Sequence, residues 1–388
     1  MTKRVVYFDY QPLSQQVYED YYLRQLVAAG CCVEYLDLTP LYFPTHSKEI
    51  TFEGVVIHKV ASFRELEQFI RNHNQRETLY ISRLTFSYIV ARLFRLFKKY
   101  NCKLVALTRG GFPTENKAQK LLNFSLKKYI RYGKQLITLF LKKAGYFKTY
   151  DYIFNCGSSL YMIGVGWGED IKKAVIKPIN TVDYERIRDI EKFTVPNLIE
   201  EKYVVFLDEY YPFHTDLEIC GLKAVPYEEY YNELNRLFKN IEDKFHLEVV
   251  IAAHPKAQLY KEKDFFEGRK VIFGKTAELV KYSKFVMVHD STALGFAIAT
   301  EKPLLFLNAE LIKKSMPDVY QVISFIAQYL NAPIIFFDNR EYNIPIPVVD
   351  KGRYEEYKYS FLTNKETEKL NSGEIFVKEI VSCESKED

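Results

Sequence analysis

The stretch Val288–Asn308, VHDSTALGFAIATEKPLLFLN, decides how the chain is read. Lys284–Val288 (KFVMV) runs into it as a short apolar segment suited to a buried strand. His289-Asp290-Ser291-Thr292 is a polar turn. Ala293–Thr300 is small and apolar and suits a helix packed tightly on a sheet. Glu301-Lys302-Pro303 breaks that helix, and Leu304–Leu307 is the next strand. The spacing predicts a strand–turn–helix–strand unit of a parallel sheet. Ser291 and Thr292 fall where the helix should begin. Free backbone N–H groups and two hydroxyls would meet there, which suits a phosphate. The plainer reading is that Ser291 caps the helix.

Working outward, the same alternation recurs along the chain. Strands are expected at Arg4–Phe8, Cys32–Leu38, Val55–Val60, Leu79–Ile81, Lys103–Leu107 and Tyr152–Asn155. Helices are expected at Gln15–Ala29, Ser62–Asn72 and about Phe86–Lys99. Gly30 ends the first helix, but no G-x-G-x-x-G follows the first strand, so the dinucleotide fingerprint is absent. A charged stretch with Pro196, Arg186–Leu198, reads as a linker. Beyond it come strands at Tyr203–Leu207, Leu247–Ala253, Val271–Phe273 and Pro333–Phe337. Helices are expected at Tyr227–Phe245, Ala277–Tyr282 and Ser315–Leu330. The expectation is an α/β protein of two Rossmann-like doubly wound domains facing a central cleft. Residues 1–190 would form the first domain and 191–350 the second, with 351–388 a helical tail packing back across both.

Composition sets the outer bounds. A chain of 388 residues with 48% hydrophobic content can fill two cores. A formal charge of +4 gives no argument for nucleic acid. The six Cys include no C-x-x-C pair and read as thiols in a reducing cytoplasm, without a zinc site. No signal peptide and no transmembrane run of about 18 apolar residues is expected. The aromatic share, 16% with 31 Tyr, points to many amphipathic rings in clefts or near a membrane. Residues 117–148 carry nine Lys or Arg and no acidic residue, with apolar positions at helical spacing. Such a segment can lie on an anionic membrane face, or pack on its own sheet with its lysines outward.

Three polar clusters follow predicted strands: Asp208-Glu209, His254-Pro255-Lys256 and His289-Asp290-Ser291-Thr292. Open α/β sheets bind ligands outside the carboxyl ends of their strands, so the fold would gather these on one rim. A carboxylate can accept a proton from an acceptor hydroxyl. An imidazole and a lysine can meet a departing phosphate, and hydroxyls can hold it. His214 and the turn Gly157-Ser158-Ser159 are further residues that could line the cleft. Each has a structural reading as well: a loop-stabilising histidine and a plain loop. The chain has no D-x-D pair, which favours a mechanism without metal or other cofactor.

The carboxylate pair, the His-Pro and the Ser-Thr pair resemble the acidic, HP and SS/ST motifs of bacterial sialyltransferases and polysialyltransferases. More broadly they resemble the inverting GT-B transferases of surface polysaccharide synthesis, including capsule Kdo transferases. The resemblance covers about Tyr203–Asn308, and Tyr210 stands where the motif has Gly. It implies Asp208 as general base with Glu209 as alternative, and His254 assisting the leaving phosphate. Pro255, Lys256, His289, Asp290, Ser291 and Thr292 would contact the donor. The donor would be a CMP-activated 2-keto sugar acid such as sialic acid or Kdo. The acceptor would be a glycan or lipid-linked glycan, and the enzyme would be cytoplasmic, peripheral at the inner membrane face. A UDP-sugar donor, phosphotransfer from a CDP-polyol, and a non-catalytic nucleotide-sugar-binding subunit are the alternatives.

Overall fold

The computed structural model describes residues 3–43, 51–73, 77–108, 110–111, 113, 126–160, 163–192, 196–214, 223–341 and 343–382. The chain divides into two compact units. One contains residues 1–110, 118–181 and 363–388, and the other contains 111–117 and 182–362.

The first unit is built on seven strands: β1 Arg4–Asp9, β2 Cys32–Asp37, β3 Val55–Lys59, β4 Thr78–Ser82, β5 Lys103–Leu107, β6 Tyr152–Cys156 and β7 Val175–Ile179. They lie in the order β3-β2-β1-β4-β5-β6-β7, every neighbouring pair parallel. Parallel strands need crossover helices, and these cover both faces of the sheet. The pleat separates two cores accordingly. Val5 and Tyr7 of β1 face a core with Val33, Tyr35, Leu79 and Ile81. Val6 and Phe8 face the other, with Leu36, Tyr80, Phe94 and Phe97.

The second unit has six strands: β8 Tyr203–Leu207, β9 Glu248–Ala253, β10 Val271–Phe273, β11 Val286–Val288, β12 Leu304–Asn308 and β13 Ile334–Phe336. Their order is β10-β9-β8-β11-β12-β13, again all parallel. β8, at the centre, is buried throughout. The long helix Tyr227–Phe245 buries Tyr230, Tyr231, Leu234, Leu237, Phe238 and Ile241 along one stripe. Both units are therefore doubly wound, as the alternation of the sequence predicts.

Several boundaries differ from expectation. The division expected after residue 190 falls at Thr181–Val182. The stretch read as a linker is largely a helix, Val182–Lys192, which buries Tyr184 and Ile187 in the second unit. Arg186, Glu191 and Lys192 are exposed, whereas Arg188 and Glu185 pair at 3.4 Å with little exposure. The helix expected over Gln15–Ala29 is two, Gln15–Asp20 and Leu23–Ala28, broken at Tyr22, whose φ is +63°. Ser315–Leu330 begins at Pro317 and follows a separate helix, Glu310–Ser315. Of the basic segment, 117–125 lies outside the described residues, Leu126–Lys143 is a helix, and 144–148 is turn and loop.

The tail is shared between the units. Lys351–Tyr357 belongs to the second, whereas Ser372–Ser382 belongs to the first and buries Phe376 and Ile380 in its core. Asn180, just beyond β7, fastens that return. Its side-chain amide donates to the carbonyls of Thr367 and Leu370 at 2.9 and 3.0 Å. Its carbonyl oxygen accepts from the Thr363 and Thr367 hydroxyls at 2.6 and 2.9 Å. The backbone N–H donates to Ser372 Oγ at 2.8 Å. Asn180 is 1% exposed, so water cannot replace these partners. Asn180→Ala is expected to lower unfolding stability by about 3 kcal/mol, read as a shifted urea midpoint. An unchanged midpoint would show that the apolar contacts of Phe376 and Ile380 hold the return alone.

Candidate functional site

Strand register builds the site. Leu207 of β8 pairs with Ala252 of β9 on one side and Val288 of β11 on the other. One residue further along stand Asp208, Ala253 and His289; two further stand Glu209, His254 and Asp290. Side chains alternate in direction as a chain leaves a strand, so the two sets separate. Asp208 and His289 are 4% and 0% exposed. Glu209, His254 and Asp290 are only partly buried and reach the rim.

His289 is a brace. Its Nδ1 lies 2.7 Å from the Leu307 carbonyl, which can only accept, so Nδ1 carries the proton. Nε2 then accepts from the Tyr230 hydroxyl at 2.9 Å. Burial drives its pKa down to about 4, leaving the ring neutral. With both nitrogens used and no exposure, His289 has no edge for a donor, contrary to the expectation from sequence. It links β11, β12 and the Tyr227–Phe245 helix, and Tyr211 stacks on it at 5.0 Å.

Asp208 is also enclosed. Its Oδ1 accepts from the Tyr210 amide at 3.1 Å, the short turn that aspartate favours. Its Oδ2 is buried without a partner of good geometry. Burial pushes its pKa up to about 6; the Tyr210 amide, the Tyr260 hydroxyl and the His254 amide pull the other way. Tyr210 has φ +55°, the left-handed region that favours glycine. Tyrosine thus takes a backbone that favours glycine at the position where the resembling motif has glycine. The ring packs edge-on against Tyr260 at 5.1 Å.

At the rim, Glu209 is raised by burial first, then by the charge of Asp290 and of Asp208, while the Ser291 hydroxyl holds it down. Asp290 is raised by burial and eased by a hydrogen bond that the Tyr211 hydroxyl donates to its Oδ1. Two neighbouring carboxyls of raised proton affinity titrate as a pair and retain a proton towards neutrality. His254 Nδ1 accepts from the Lys256 amide at 3.2 Å, which places the ring proton on Nε2. His214 meets the His254 ring edge-on at 4.8 Å. Pro255, Lys256 and Thr292 are exposed.

The phosphate-binding helix start expected from sequence takes another form. The helix spans only Leu294–Ala299, its N-cap is Ala293, and no side chain caps it. The Ser291 hydroxyl accepts from the Ala293 amide at 3.2 Å and is directed to Glu209. Gly157, Ser158 and Ser159 belong to the first unit, beyond β6. Asn155 closes that loop by donating to the carbonyls of Gly157 and Ser159 at 2.9 and 3.3 Å. Among the described residues, no three His, Cys, Asp or Glu side chains are grouped to hold a metal ion.

Four tyrosines complete the site and escaped the motif reading. Tyr211 holds Asp290, Tyr230 holds His289, and Tyr231 shares a 2.8 Å hydrogen bond with Tyr260 beside Asp208. The signal was the paired tyrosines, Tyr210-Tyr211 after the acids and Tyr230-Tyr231 on the helix.

No family model and no curated protein matches the chain. Solved structures do. The wall teichoic acid polymerase TagF is similar at 13% identity with a TM-score of 0.53, over 98% of this chain and 88% of that one. Its H548A form gives 13% and 0.51 over the same shares. MurG of Acinetobacter baumannii gives 9% and 0.47, over 98% and 99%. At such identity the likeness concerns the fold, which is GT-B-like with two Rossmann-like domains.

The folded pKa of Asp208 lies above the value of about 3.9 for an unfolded chain. The native state therefore holds a proton that the unfolded state has released, and stability falls as pH rises through about 4 to 6. Asp208→Asn removes that penalty. It is expected to stabilise the fold by roughly 2–3 kcal/mol at pH 8 and by little at pH 4, measured by urea melts. An equal effect at both pH values would show that Asp208 does not titrate in this window.

Proposed function

We propose that the chain is an inverting, metal-independent transferase of surface-polysaccharide synthesis that uses a cytidine-nucleotide donor, with a CMP-activated 2-keto sugar acid as the first reading. The observation that carries this is the pairing of Glu209 and His254 at the same step beyond adjacent strands. One offers a carboxyl of high proton affinity, the other a ring that carries its proton on Nε2. Glu209 takes the base role in preference to Asp208, because it reaches the rim whereas Asp208 is sealed into its turn.

In the reaction the acceptor oxygen attacks the anomeric carbon as Glu209, in its ionised form, takes the acceptor's proton. The bond from that carbon to the phosphate oxygen breaks, and CMP departs with the electron pair. His254 Nε2–H and the ammonium of Lys256 meet the developing phosphate charge, and the Thr292 hydroxyl adds a further donor. Asp290, held by Tyr211, keeps the proton affinity of Glu209 high. A phosphate monoester is a leaving group that can depart on these protein donors alone.

A second reading is favoured by the fold likeness to a wall teichoic acid polymerase: transfer of a polyol phosphate from a CDP-polyol. There the acceptor oxygen would attack phosphorus, and CMP again leaves. Both readings predict CMP as product; a UDP-sugar reaction would release UDP. Melting shifts with CMP, CDP and UDP separate the nucleotides, because a ligand that binds only the folded state raises the melting temperature. Product mass then separates glycosyl from phosphoryl transfer.

Glu209→Gln is expected to lower turnover by about 10²–10⁴-fold with CMP binding retained, and CMP release should survive EDTA. Normal turnover in Glu209→Gln beside a dead Asp208→Asn would return the base role to Asp208. CMP binding without turnover on any glycan acceptor would support the non-catalytic alternative. His254→Asn is expected to reduce kcat by about 10²-fold or more, the scale for losing a donor to developing charge. An unchanged kcat would remove His254 from the leaving-group side.

A further inference from the structure

The helix Leu126–Lys143 is anchored along one side. Thr138 and Lys142 are buried, and the Lys142 ammonium forms an enclosed ion pair with Asp170, neither side chain exposed. The same ammonium lies 4.1 Å from the Phe86 ring centre. Gln135 Oε1 accepts from the Tyr88 amide at 3.3 Å. Gly166, with φ +67°, lets its loop approach: a Cβ there would meet Lys142 at 3.0 Å and Leu139 at 3.3 Å. An ion pair sealed from water at this spot fixes which way the helix faces, because turning it would strand two charges.

The opposite side has the reverse character from an ordinary surface helix. At 3.6 residues per turn, Ile130, Gly133, Leu136, Ile137 and Phe140 share one face. That face points to solvent. Ile137 is 61% and Phe140 71% exposed, and Ile130 and Leu136 are exposed too. Lys134 and Lys143 stand exposed on either flank of this apolar strip. Residues 117–148 contain no Asp or Glu. Glu169, on the neighbouring helix, is engaged by Lys172 at 3.0 Å.

We propose that this outer face inserts into an anionic lipid surface, with Ile130, Leu136, Ile137 and Phe140 entering the headgroup–acyl boundary and Lys134 and Lys143 meeting lipid phosphates. The charge decides between occupants. A second copy of this chain would bring basic strip against basic strip, whereas an anionic bilayer supplies the opposite sign along with apolar depth. An amphipathic helix lying in the interface gains from both apolar burial and anionic lipid. The inference does not depend on which donor the other unit uses.

The test is co-sedimentation of the full chain with vesicles of phosphatidylcholine alone and of phosphatidylcholine mixed with phosphatidylglycerol. The wild type is expected to pellet with the mixed vesicles and to stay largely in solution with phosphatidylcholine alone. Ile137→Glu with Phe140→Glu should weaken that binding by about tenfold or more at an unchanged melting temperature, since both side chains are already in water. Lys134→Gln with Lys143→Gln should weaken binding to the mixed vesicles and flatten its salt dependence. Wild-type protein left in solution with mixed vesicles, or equal pelleting of the Ile137/Phe140 variant, overturns the proposal. So does a wild-type dimer that these substitutions split without lipid, which would assign the face to a second copy.

Discussion

The lateral register of β8 against β9 and β11 is the constraint on which the rest hangs. Backbone hydrogen bonds hold Leu207 level with Ala252 and Val288. Once those three positions are in step, the residues that follow have no freedom to choose their layer. The first set turns inward and the second comes to the rim. A slip of one residue would bury Glu209 and bring Asp208 out, because side-chain direction repeats every two residues. The chemistry is thus placed by pairing in the middle of the sheet rather than by the loops that carry it.

Among the described residues, burial and their own mutual charge raise the carboxyls at this edge, and tyrosine and serine hydroxyls ease them. A phenol hydroxyl can steady a carboxylate without cancelling its charge, so proton affinity stays high. The arrangement costs stability at neutral pH, as does the left-handed backbone of Tyr210. Both costs are absorbed by a core in which β8, β11 and β12 are buried throughout. Strain and raised proton affinity thus meet at one edge of an otherwise regular sheet, which makes that edge the candidate site.

Much of the fold could be read from the residues, because apolar runs such as Tyr203–Leu207 and the stripe of Tyr227–Phe245 are both long and bounded by breakers. Boundaries were harder where two tendencies competed. The charges of Arg186 and Arg188 hid a helix that buries Tyr184 and Ile187. At the site, the clusters were visible but their roles were not. Nothing in the string His289-Asp290 says which residue turns inward; that depends on a partner strand about eighty residues earlier in the chain. The tyrosines were overlooked for a related reason: an abundant residue gives no motif, and its importance comes from whose hydrogen bond it completes.

The return of Ser372–Ser382 to the first unit has a consequence for how the protein is made. On a ribosome, residues 182–362 emerge as one run, so nearly the whole second sheet can close while synthesis continues. The first sheet, although translated earlier, must wait for residues 363–382 before Asn180 meets its partners and Tyr22 meets Phe376. The order of birth and the order of completion are therefore reversed. Until residue 376 has been made, the seam stays open and Phe154 lacks the ring that packs on it.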